Sequence, residues 1–144
     1  MRYLLITVVL SLLLSGCGSQ PTPGDVTRPA NLDTATTRLT DEGHFRVTYT
    51  SEPAPPPINK FLTWTLHVET PAGAPVTGAL LTVDGGMPEH NHGLPTQPEV
   101  TAELGNGDYR VEGIKFQMPG WWTMTVTVAA SEQQDAATFN LVLD

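Results

Sequence analysis

The sequence predicts an all-β fold, an immunoglobulin-like antiparallel sandwich of seven strands. Three observations lead there. Seven short segments alternate apolar and polar residues with a period of two. Clusters of Gly, Pro, Asn and Asp separate most of them, and no credible helical pattern appears. Seven strands in about 100 residues suit such a sandwich, whereas an eight-stranded barrel needs one more.

The first segment is Phe45–Thr50, with Phe45, Val47 and Tyr49 on one face. The second, Phe61–Glu69, sets Leu62, Trp64, Leu66 and Val68 against Thr63, Thr65 and His67. Ala79–Val83 is the third and Val100–Leu104 the fourth, the latter alternating Val100, Ala102 and Leu104 with Thr101 and Glu103. In the fifth, Asp108–Phe116, the inward residues change parity from Tyr109 and Val111 to Ile114 and Phe116. One extra residue must be absorbed, which predicts a bulge near Gly113. Trp121–Ala129 turns Trp122, Met124, Val126 and Val128 inward, and Ala136–Leu143 does the same with Ala137, Phe139, Leu141 and Leu143. Leu104-x-x-Gly107-x-Tyr109 has the form of a tyrosine corner, in which the phenol bonds to upstream backbone.

The N-terminus is read as a processing signal, outside the fold. Arg2 precedes the apolar run Leu4 to Leu14, and Leu14-Ser15-Gly16-Cys17 matches a bacterial lipobox. Residues 1–16 are then a signal peptide, and Cys17 carries lipid. The apolar run is too short to span a bilayer, which takes about 20 residues. Because Cys17 is the one cysteine, an intrachain disulfide or a multi-Cys zinc site is excluded. Residues 17–40, rich in Pro, Thr, Gly, Asp and Asn, read as a flexible tether, and 41–144 as the domain. The expected location is the extracytoplasmic side of a membrane, held there by the lipid.

Removing residues 1–16 takes away Arg2 and changes the formal charge from −8 to −9. No basic patch remains for nucleic acid or anionic head groups. The chain has no Ser/His/Asp or Cys/His arrangement, no paired-carboxylate motif and no Gly-rich phosphate loop, so an enzyme is not expected.

The chemistry concentrates in Met87, His90 and His92 of MPEHNHG and in Met118 of QMPGWW. Thioether and imidazole together suit copper, because soft sulfur selects Cu(I) and imidazole binds either oxidation state. Only four His and four Met occur in the chain, and three of the candidates fall in a turn-rich run of six residues. If successive strands run in opposite directions, the loops after the first, third and fifth segments share one end. MPEHNHG and Met118 meet there, while His44 and His67 belong to the opposite end. An extended backbone would turn His90 and His92 to the same side. Met124 is assigned to the core. Trp121 either covers the site or is a rim aromatic closing the sandwich end.

The run from Asp84 to Val128, with MPEHNHG, then GDYRVEGIKFQMPGWW, then an alternating strand, resembles the YtkA-like family, related to FixH. The resemblance covers about 45 of the 144 residues. It implies a small exported or membrane-anchored β-sandwich linked to copper handling, in some members near cytochrome oxidase assembly. By motif match it puts Met87, His90, His92 and Met118 in the ligand positions. Here Cys17 stands in place of a transmembrane anchor. The expectation is a copper chaperone or scavenger exchanging Cu(I) with another envelope protein. Two alternatives stay open: an adhesion or assembly module that binds a protein through the same loops, and a zinc protein using His90, His92 and Glu89.

Overall fold

Alternating side chains give a strand one wet face and one dry face, so two such sheets bury themselves only by packing dry face to dry face. The computed structural model describes residues 26–144 and has this form. Residues 1–16, read above as a signal peptide, and Cys17 lie outside the described residues. The strands are β1 (Thr37–Leu39), β2 (Arg46–Glu52), β3 (Phe61–Glu69), β4 (Leu80–Met87), β5 (His92–Gly93), β6 (Glu99–Gly105), β7 (Asp108–Lys115), β8 (Gly120–Ala130) and β9 (Gln133–Leu143). One sheet has the order β1-β2-β3-β7-β6 and the other β5-β4-β8-β9. Without the two short strands β1 and β5, these are four strands facing three. That is the ABED/CFG arrangement of a constant-type immunoglobulin sandwich. The seven expected strands are all present, and the count rises to nine. Among the described residues no helix is long and apolar enough to cross a membrane.

The inward residues of both sheets form one core. Trp64, Trp122, Tyr109, Phe116 and Phe139 are its largest fully buried members. Tyr49 stacks on Trp64 at 4.1 Å between ring centroids, and Phe116 meets Trp122 edge to face at 5.1 Å. Truncating a core aromatic of this size costs roughly 3–5 kcal/mol. The predicted bulge is present: Leu62 pairs with Ile114 but Trp64 with Val111, so two steps on β3 match three on β7. Gly113 takes the extra step at φ 82°, a backbone conformation costly for other residues.

Tyr109 also behaves as expected in kind. Its phenol donates to the Val76 carbonyl at 2.8 Å and accepts from the Ala79 N–H at 3.0 Å. The partners are more distant in sequence than in a tyrosine corner, so Tyr109 holds the β3–β4 connection and not its own turn.

The tether reading of residues 17–40 needs correction over its described part, residues 26–40. Thr37–Leu39 pairs with β2, Thr37 opposite Thr48 and Leu39 opposite Arg46. Upstream, the Arg28 N–H donates to Glu89 at 3.1 Å, and Asn140 donates to the Asp33 carbonyl at 2.9 Å. This segment runs along the outside of the sandwich and is held through backbone groups. Its side chains are mostly exposed, which is why it carries no apolar period.

The far end of the sandwich is locked by a carboxylate. Asp135, buried at the start of β9, accepts from the backbone N–H groups of Glu42, His44 and Ala136. Burial alone would raise its pKa, but hydrogen bonds from Thr40 and these backbone groups prevail and hold it at about 2.

Candidate metal centre

The sandwich brings the sequence's soft donors to one end. β4 finishes at Met87, and a single 3-10 turn, Pro88–His90, follows it. Asn91 then adopts the left-handed conformation (φ 52°, ψ 44°), and the chain returns as β5. In the β4–β5 register Met87 stands directly opposite His92. Cross-strand partners project to the same face of a sheet, with Cβ atoms about 5 Å apart. The thioether and the imidazole are therefore neighbours by construction.

His90 reaches the same place by an unexpected route. Its backbone is not extended, so the period-two argument for His90 and His92 fails. The 3-10 turn and the left-handed Asn91 bring the rings together, with centroids 5.9 Å apart and planes at 23°. Metal–imidazole bonds of about 2 Å lie along the nitrogen lone pair, so one ion reaches both rings only when a nitrogen of each is turned toward it.

Met87 is 1% exposed and part of the core, yet it also lines a shallow hollow with Gly86, Pro88, Asn91, His92, Gly93 and Thr123. Two glycines make room for the sulfur-bearing side chains on this sheet. A Cβ at Gly120 would sit 2.6 Å from the Met87 methyl, and one at Gly85 would collide with the Met124 sulfur. Met124 is fully buried.

Met118 lies in the β7–β8 loop at this same end, half-buried against the core. Its carbonyl accepts the Trp122 indole N–H at 3.1 Å, and the Trp122 ring meets His92 edge to face at 5.8 Å. Gln117 touches His92 directly, its amide nitrogen 3.2 Å from Nδ1. The two loops do converge, as the strand parity predicts.

Trp121 is not the aromatic against His92. It points to the opposite face from Trp122, and its indole N–H donates to Asn140 of β9 at 3.0 Å. Trp122 fills that place, and its inward parity is the signal that could have found it. Gln117 had no signal beyond standing next to Met118.

The other two histidines sit at the opposite end among carboxylates. His67 Nδ1 is 2.6 Å from Asp108, and Nε2 is 3.7 Å from Glu69. With its side chain 34% exposed, His67 is less open to solvent than its polar-face position suggests. The Arg46 guanidinium, bonded to Glu69, holds that carboxyl below its ordinary pKa, with His67 adding to the effect. His44 lies 3.7 Å from both Glu42 and Asp135. Among the described residues no group of three or more His, Cys, Asp or Glu side chains is arranged to hold a metal ion. Glu89, the carboxylate of the zinc alternative, accepts the Arg28 N–H.

Fold and cluster together define an immunoglobulin-like sandwich with a thioether–imidazole cluster at one end. The sequence profile of the YtkA-like family matches residues 41–127, more than half of the chain, and the chain belongs to that family. Among solved structures it is similar to a DUF4426 family protein from Pseudomonas aeruginosa PAO1, at 16% identity and a TM-score of 0.51. That match covers 70% of this chain and 91% of the other, and at this identity it speaks for the fold alone. A comparison with curated proteins found no match.

Proposed function

We propose that this protein carries copper as Cu(I), held by Met87, His90, His92 and Met118, and acts as an extracytoplasmic chaperone or scavenger and not as an enzyme. The observation that carries this reading is the direct cross-strand pairing of Met87 with His92, with the His90 ring 5.9 Å away. Such mixed soft donors suit Cu(I). The turn of Glu89 toward Arg28 weighs against a zinc site built on that carboxylate. Anchoring through a lipid on Cys17 is part of the proposal, as is exchange of the ion with an envelope partner.

Metal analysis of protein purified without added metal, followed by competition for Cu(I) against bicinchoninate, tests the reading. Stoichiometric Cu(I) is expected, lost on combined replacement of His90 and His92. Zinc in place of copper, or no metal at all, would sink it. The domain is expected to fold without metal, since its core is continuous from Phe45 to Leu143. Thermal unfolding of the apo protein checks this.

A further inference from the structure

One nitrogen of His92 is already committed. Nδ1 lies 3.0 Å from the Gly93 carbonyl oxygen and 3.2 Å from the Gln117 amide nitrogen. A carbonyl oxygen only accepts, so a bare Nδ1 lone pair there would set two acceptors face to face. Nδ1 therefore carries the hydrogen, and Nε2 is left with the free lone pair. The two ends of an amide have nearly the same shape, and Gln117 Oε1 is buried without a hydrogen-bond partner among the described residues. Turning the amide over gives up the 3.5 Å contact of its nitrogen with the Gly93 carbonyl and sets Oε1 against the Nδ1–H.

We propose that Gln117 is the positioning residue for His92, fixing the Nδ1–H tautomer and the ring orientation so that Nε2 is the nitrogen offered to Cu(I). The inference rests on the copper reading for the identity of the ion, though the tautomer itself does not. A ligating imidazole usually donates its other N–H to a carbonyl, carboxylate or water, and loss of that partner typically costs 10–100-fold in metal affinity. The partner here comes from the residue next to Met118. One loop therefore supplies a thioether and aims an imidazole, so displacing it weakens two donors together.

Two-bond hydrogen–nitrogen correlation spectra of the apo protein, taken where His92 is neutral, distinguish the tautomers without any metal. Wild type is expected to show His92 protonated at Nδ1. Gln117→Leu should shift the population toward Nε2–H and weaken Cu(I) binding against bicinchoninate by 10–100-fold. Gln117→Glu keeps an acceptor against Nδ1 and should restore both, which separates positioning from a folding defect in the Leu variant. Protonation at Nε2 in wild type, or a Leu variant with unchanged tautomer and affinity, would overturn the proposal. A wild type that shows the Nδ1–H tautomer but binds no Cu(I) would instead overturn the copper reading, with the contact between Gln117 and His92 standing.

Discussion

The two ends of this sandwich hold the same number of histidines and treat them in opposite ways. At the far end His67 and His44 face carboxylates: Asp108 and Glu69 for one, Glu42 and Asp135 for the other. At the near end His92 faces a backbone carbonyl, an amide, an indole and, across the strand pair, a thioether, with His90 against its ring. Among the described residues no carboxylate lies within ion-pairing distance of His90 or His92. The far-end rings are tied to carboxylates, whereas the near-end neighbours are neutral groups, so the surroundings of each histidine are set by its place in the fold and not by residue type.

The largest effect expected at the near end comes from Trp122→Ala, which should cost roughly 3–5 kcal/mol of folding stability. Trp122 is fully buried and touches His92, Phe116 and the Met118 carbonyl. Denaturant unfolding measures it, and a loss under 1 kcal/mol would show that this end is not built on the indole.

Next comes the contrast between ligand histidines and paired ones. His92→Ala should lower Cu(I) affinity at least tenfold, about 1.4 kcal/mol, while His67→Ala and His44→Ala leave it unchanged. Competition titrations decide the matter. A far-end variant that abolished binding would erase the distinction between the ends.

Smaller again is the effect of Met118→Ile, which keeps apolar bulk and removes sulfur. A fold change of several-fold in Cu(I) affinity is expected, with Cu(II) affinity little altered and a stability cost below about 1.5 kcal/mol. Lost stability with unchanged affinity would make Met118 a packing residue only.

The far end gives the mildest test, visible only in acid. Asp135 has a folded pKa of about 2, below its ordinary value of 3.8. Its contribution is therefore fully present above pH 3.8 and is lost as pH falls through about 2. Asp135→Asn should flatten the acid limb of a stability profile over that interval, measured by urea unfolding at stepped pH. An unchanged limb would mean that the turn at Thr40–Phe45 does not depend on the carboxylate.

What could be read in the sequence divides along physical lines. Alternation is a burial signal, so β2, β3, β4 and β6 to β9 stood out, and the parity change in β7 revealed the bulge at Gly113. Parity also put Met118 and the MPEHNHG run at one end. It failed wherever structure is held by backbone bonds instead of buried side chains. β1 and the segment around Arg28 and Asp33 carry exposed side chains, so nothing in their pattern betrays them. The pairing of His90 with His92 came from a left-handed Asn91, a local choice that periodicity does not encode. Gln117 was invisible because a polar loop residue has no periodic partner, and its role appears only when β5 lies beside it. For Trp121 the sequence leaves a site cover and a rim aromatic equally open, and its bond to Asn140 on the face opposite Trp122 is visible only in the fold.

The Arg28 N–H bond to Glu89 holds the start of the described chain at the turn that carries His90, and Val26 is two residues upstream of that bond. Nine peptide links separate it from Cys17, and at full stretch they reach about 30 Å. A lipid on Cys17 would thus keep the ligand end within about one bilayer thickness of the surface. On the proposed lipid anchoring, that end would work in the layer next to the membrane.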